Sequence, residues 1–218
     1  MSRSTLPAAA AVVVGVGLLL TACGGGGSGD SDKIKATGTT ASASQSTSGP
    51  SPTPTATGVP RPTITLPSGA QNVFEDQHTG DAKKDAVLAD NQSWVDSMDE
   101  AILKGSSDTS HISFYSTGTA FESSVGYVKG YLGKKDTWVG TTRFFQRKVT
   151  FLKTGEASVV YCGDESKAFI KHSDGTIDKS PATSNSYVLY NTRLAQNGQG
   201  VWQTEYVVSQ RGAKECQP

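Results

Sequence analysis

Near Thr141 the spacing of large apolar side chains changes from a helical rhythm to alternation, and nothing else in the 218-residue chain constrains the fold as much. Upstream, Val87, Trp94, Val95, Met98, Ala101 and Ile102 fall largely at helical spacing and make one apolar face. Asp81 can cap that predicted helix, Lys104 ends it, and Gly105 sits just past its end. A second helix is predicted over 120–134, with Phe121, Val125, Val128 and Leu132 on one stripe; the stretch 109–116 between them fits a short helix or a loop. Downstream, strands are predicted at 141–152, 157–162, 167–172, 187–194 and 201–209. Lys153-Thr154-Gly155-Glu156, Ser173-Asp174-Gly175 and Gln196-Asn197-Gly198-Gln199-Gly200 supply the turns. Helices followed by consecutive hairpins predict one α+β domain over 66–218, with N-terminal helices packed on a curved antiparallel sheet.

The chain before residue 66 cannot belong to that core. Arg3 gives a positive start, and Ala8 to Leu20 form an apolar run of 13 residues. A bilayer-spanning helix needs about 20, whereas a secretory signal needs about 7–15. The run ends in Leu20-Thr21-Ala22-Cys23, which resembles the lipobox of bacterial lipoproteins. That resemblance implies a signal peptide over 1–22, cleavage before Cys23, and acyl chains such as palmitate on its thiol. The mature chain would then be held on the extracytoplasmic face of the cell membrane. Residues 23–65, rich in Gly, Ser, Thr and Pro, read as a disordered tether, because without large apolar side chains nothing offsets the entropy of ordering. About 42 flexible residues reach roughly 35–40 Å, and the Pro-containing part is stiffer.

Cysteine parity adds a constraint. With Cys23 lipidated, Cys162 and Cys216 remain, an even number in an oxidising compartment, and they are expected to pair. Closing a loop of that length is worth about 4 kcal/mol in the chain-entropy model.

The order of elements resembles the NTF2-like fold, a cone of curved sheet closed by N-terminal helices, over roughly residues 70 to 216. Bacterial envelope lipoproteins with a lipobox, a Thr/Ser/Pro linker and one such domain with paired cysteines are similar in layout.

Chemistry is harder to find. Arg3, Lys33, Lys35 and Arg61 precede residue 66, as do Asp30 and Asp32, which leaves 16 basic against 18 acidic residues beyond it. A domain so balanced offers no phosphate-gripping patch, so nucleic acid is not an expected partner. His78, His111 and His172 lack metal-ligand spacing, and neither a metal nor a cofactor is expected. His111, near the mouth an NTF2-like cone would have, is the most interesting of the three, though a structural or surface role fits it better. Asp99-Glu100 and Asp164-Glu165 are adjacent pairs that do not face each other in a helix or a strand. Asn91-Gln92-Ser93 matches a glycosylation sequon but lies on a predicted helix. Trp94, Trp138, Trp202, Tyr187, Tyr190 and Tyr206 either form the core or line a pocket, and Tyr190 and Trp202 flank the last hairpin loop as a possible cross-strand pair.

These readings predict a membrane-anchored lipoprotein displaying a non-catalytic binding or interaction domain, whose partner is an unknown small molecule or envelope protein. The alternative is a small NTF2-like enzyme (isomerase, cyclase or hydrolase) using a pocket His or Asp. An interior filled by side chains favours the first reading. An interior holding His or Asp within an apolar wall favours the second.

Overall fold

The computed structural model describes residues 58–218. Cys23, the signal segment 1–22 and the tract up to residue 57 lie outside the described residues. No described helix is long and apolar enough to cross a membrane.

In chain order the elements are β1 (Ala70–Phe74), α1 (Ala82–Lys104), α2 (Ser110–Tyr115), α3 (Gly118–Lys134), β2 (Thr137–Phe151), β3 (Ala157–Lys171), β4 (Tyr187–Gln196) and β5 (Trp202–Arg211). Local chemistry sets the ends of α1. The Asp81 side chain accepts hydrogen bonds from the Lys83 and Lys84 N–H groups, satisfying donors that a helix start leaves free. Gly105 closes the helix in the left-handed region at φ 62°, where its N–H reaches the carbonyls of Ala101 and Ile102. The ambiguous stretch before α3 forms the short helix α2.

The five strands make one sheet in the order β1-β2-β3-β4-β5. β2 through β5 are antiparallel neighbours, as the hairpin signals imply, but β1 pairs parallel with β2, so the sheet is mixed rather than wholly antiparallel. A five-residue edge strand with only Val73 and Phe74 as large apolar residues carries no alternation for a sequence reading to find. The expected strands at 157–162 and 167–172 are one strand, β3, running through Gly163-Asp164-Glu165-Ser166. Its pairing is what keeps that polar stretch extended: Asp164 sits opposite Arg143 of β2 and Tyr187 of β4. Gly140 is required where β2 is irregular, because at φ 103° a Cβ would lie 2.1 Å from the Lys167 carbonyl oxygen of β3.

The sheet wraps the helices. α1 contacts β2 and β3 on one side and β5 on the other, and α3 contacts β5. Val87, Leu88, Trp94 and Val95 of α1 bury against Phe144, Val159, Leu194 and Trp202. Full burial of such a side chain contributes about 1.5–3 kcal/mol. Ala101, Ile102, Ile112, Val128 and Trp138 form a second cluster where α1, α2 and α3 meet the start of β2. Tyr190 and Trp202 do not pair: Tyr190 lies opposite Ser209, and Trp202 opposite Gln196.

Two further findings concern the chain ends. Residues 58–65, which composition assigns to the tether, lie on the domain. Arg61 binds Asp90 with two hydrogen bonds of 2.7 and 2.9 Å, and the Thr65 N–H donates to Glu100 at 2.9 Å. Val59 and Ile64 pack on the core, which is the apolar content that an average over 23–65 dilutes away. At the other end Cys162 and Cys216 form a disulfide, with their Cα atoms 5.4 Å apart. Cys162 is in the middle of β3, not at a strand end, and alternation places it on the face opposite Tyr161. The C-terminal turn (Lys214–Cys216) is thereby fixed to the outer face of the sheet, with Ala213 buried beside the bridge.

Candidate functional site

A cavity of about 750 Å³ lies between α1, α3 and the concave face of the sheet. Five elements supply an aromatic wall: Trp94 from α1, Tyr127 and Tyr131 from α3, Trp138 from β2, Tyr161 from β3 and Tyr190 from β4. The wall is held by its own contacts. Trp94 donates its indole N–H to Ser124 Oγ at 3.0 Å, Tyr161 stacks on Tyr190 with centroids 5.0 Å apart, and Tyr127 meets Tyr131 edge-on at 5.2 Å. Loop residues 180–183, Asn185 and Ser186 cover one side. At the rim Arg211 bonds Glu165 through both guanidinium nitrogens, at 2.6 and 3.2 Å, and donates to the Asn185 carbonyl at 2.8 Å. Those contacts tie the loop to the end of β5.

Three acids line the cavity, Asp99, Glu165 and Asp178, and of these only Asp99 is buried in the wall. Asp99 of α1 accepts from the Asn72 amide at 2.7 Å and from the Trp138 indole at 3.2 Å. The same Asn72 nitrogen donates to Asp96 at 2.9 Å, so one amide is shared between two acids. Burial pushes the Asp99 carboxyl up to about 7; the two donors act against that shift, and the charges of Asp96 and Glu165 act with it. Asp99 can therefore hold or release a proton near neutrality in a largely apolar space.

Deeper in the core Arg147 of β2 is 4% exposed. It donates to the Leu88 carbonyl at 2.7 Å and lies over the Phe74 ring, while its Nε and Nη1 find no protein partner. Burial lowers its pKa to about 10. Arg147 does not line the cavity.

Of the aromatic residues that the sequence singles out, Trp94, Trp138 and Tyr190 line the cavity. Trp202 is core against Phe151, Tyr187 packs near the disulfide, and Tyr206 is exposed on the outer face. None of the histidines reaches the cavity. His111 lies 2.6 Å from Glu100 at the surface, His172 lies 3.1 Å from Asp136, and His78 is almost wholly exposed. Asn91 is fully buried, so its sequon has no access to a sugar. Asp99 and Glu100 do point apart: Asp99 into the cavity, Glu100 toward Lys104, the Thr65 N–H and His111. Tyr127, Tyr131, Tyr161 and Arg211 carry no sequence signal that singles them out, and Asp99 and Glu165 entered only as members of adjacent pairs that do not face each other. For Asp99 a signal was there: an acid inside the apolar stripe Trp94, Val95, Met98, Ala101, Ile102.

No family model matches the chain, and no curated protein does. Among solved structures it is similar to Aln2 from a Streptomyces species, at 16% identity over 58% of this chain and 88% of that one, with a TM-score of 0.40. It is similar also to a protein from Catenulispora acidiphila, at 11% identity over 59% of this chain and 93% of that one, with a TM-score of 0.37.

Proposed function

We propose that the domain is a small-molecule binding module of NTF2-like type, displayed on the extracytoplasmic face of a membrane by lipid on Cys23. The observation that supports binding is the open cavity of about 750 Å³, walled by aromatic rings and carrying one nearly buried acid. A space of this size, mostly apolar with few polar groups, suits a ligand of drug-like dimensions. The anchor rests on the Leu20-Thr21-Ala22-Cys23 motif and the apolar run before it. The test for binding is direct. Phenethyl alcohol, a neutral aromatic probe, should quench the Trp94 and Trp138 fluorescence saturably, and Thr142→Phe, which fills the cavity from β2, should abolish the effect. Equal quenching in both proteins refutes the cavity reading.

A second reading, an acid–base enzyme, gains from the state of the interior, which is an open cavity rather than one filled by side chains. Asp99, whose carboxyl burial pushes up to about 7, stands within its apolar wall, the outcome set out above as favouring an enzyme. Binding stays first because no histidine lines the cavity to complete an acid–base pair with Asp99. A group poised near the working pH serves general acid–base catalysis well. On this reading Asp99→Asn removes turnover of a substrate while leaving its binding intact.

A further inference from the structure

α1 buries three acids, and they are not treated alike. Asp90 is paired with the Arg61 guanidinium. Glu100 has the Lys104 ammonium at 2.6 Å and the His111 ring beside it. Asp99, the one that faces the cavity, receives only two neutral N–H groups, and among the described residues no cation lies within ion-pair distance of it. An ionised carboxylate out of water costs free energy unless a counter-charge meets it. Each of its oxygens has further lone-pair capacity beyond the one bond it accepts.

The surroundings of Asp99 are matched to a positive partner. Among the residues lining the cavity the charged groups are Asp99, Glu165 and Asp178 against Arg211, and Arg211 is already spent on Glu165. Asp96 and Glu165 both add negative potential at Asp99. The remaining wall is indole and phenol faces, whose quadrupoles attract cations at about 0.5–2 kcal/mol per well-placed ring. From the surface of the same wall, the hydroxyls of Tyr131 and Tyr190 stay protonated because burial raises them further above their ordinary range.

We propose that the cavity takes an organic cation, an ammonium-bearing molecule with an apolar or aromatic body, and that Asp99 is its counter-ion. The ammonium sits against Asp99 beneath Trp138, and the apolar body fills the space between α3 and the strands. Glu165 remains closed on Arg211 at the rim, and the loop bearing Asn185 covers the bound molecule. This inference rests on the proposed binding role of the same cavity and narrows its ligand by charge.

The experiment uses the full chain in phosphatidylcholine nanodiscs, with empty nanodiscs as the blank. Three probes of similar size differ in charge: phenethylamine as the cation, phenethyl alcohol as the neutral form and phenylacetate as the anion. Calorimetric titration at pH 8 should give at least about tenfold tighter binding for phenethylamine than for the alcohol, and the weakest binding for phenylacetate. In the unmodified protein, phenethylamine should also bind about tenfold more weakly at pH 6 than at pH 8, because the competent, ionised fraction of Asp99 falls from about nine-tenths to about one-tenth. Phenethyl alcohol should show no such change. The groups that bear on Asp99 across this range are Asp96, whose carboxyl burial also pushes up, Glu165, and the tyrosines of α3 and β4, whose hydroxyls burial raises and keeps neutral. Asp99→Asn should bring phenethylamine down to the affinity of the alcohol, and the pH profile of the unmodified protein carries the test if that variant misfolds. Alcohol binding as tight as amine binding, or amine binding unchanged between pH 6 and pH 8, overturns the cation while leaving the cavity reading in place. If none of the probes binds, both fail together.

Discussion

Raising the pH from 5 to 8 should weaken the folded state through Asp99. The sign follows from proton counting. Folding lifts this carboxyl from the ordinary Asp value of 3.8 to about 7, so between those values the folded chain holds a proton that the unfolded chain has released. Stability contributed by that proton is complete below the unfolded value and is lost as the pH rises through the folded one. Integrated from pH 5 to pH 8, the loss comes to about 2–3 kcal/mol. Groups held low in the folded state, such as Asp85, Asp108 and Asp174, act with the opposite sign, but below about pH 4 and so outside this window. For a domain of this length the loss lowers the melting temperature by about 5–10 °C. Asp99→Asn removes the most strongly raised carboxyl, and its melting temperature should fall less steeply across the same interval, by no more than the part that the Asp96 carboxyl, also raised by burial, contributes. Differential scanning calorimetry of both proteins from pH 5 to pH 8 reads the difference of slopes. Parallel curves for the two proteins would show that Asp99 titrates normally, and the reasoning from burial would be refuted.

Cys23→Ser should leave an uncut precursor or release the chain from the membrane fraction, because two acyl chains hold firmly where none can; normal processing with unchanged pelleting removes the lipid anchor from the proposal. Cys162→Ala and Cys216→Ala should each cost about 2–4 kcal/mol, and the double variant about the same as either, since one bond is lost in all three; additive losses in chemical denaturation would contradict this. Arg61→Ala should cost about 3–5 kcal/mol in the same assay, because Asp90 stays buried without its partner, and a change below about 1 kcal/mol would mean that residues 58–65 do not hold to the domain in solution.

Features written in short-range chemistry were legible from residues alone. Asp81 and Gly105 bracket α1 because a cap needs only its own turn. The disulfide followed from the parity of Cys162 and Cys216. β1 escaped notice because its strand character comes from the free edge of β2, far along the chain. Strands expected at 157–162 and 167–172 are continuous through Gly163, which is small so that the Tyr190 ring can lie over it; a Cβ there would come 3.1 Å from Tyr190 Cε2. The cavity wall was hardest. Tyr127 and Tyr131 sit on α3 where a polar helix face is ordinary, and only the arrangement of the sheet turns that face into a wall. Asp99 was visible as an acid among apolar neighbours, but it was weighed only as one of an adjacent pair with Glu100 and set aside with it, because adjacent residues of a helix do not face each other.

The strap at residues 58–65 also sets a path for mechanical load. A pull on the chain ahead of Gly58 meets Val59, packed on the core, and then Arg61, the first polar hold, which grips Asp90; Asp90 in turn accepts the Trp202 backbone N–H at the start of β5. Force therefore enters the sheet at the hairpin end of β5. The Arg211 latch lies at the far end of that strand, about 30 Å away for ten extended residues. Arg61 and Asp90 would act as a fuse, parting under tension and releasing the strap before the rim of the cavity feels the strain.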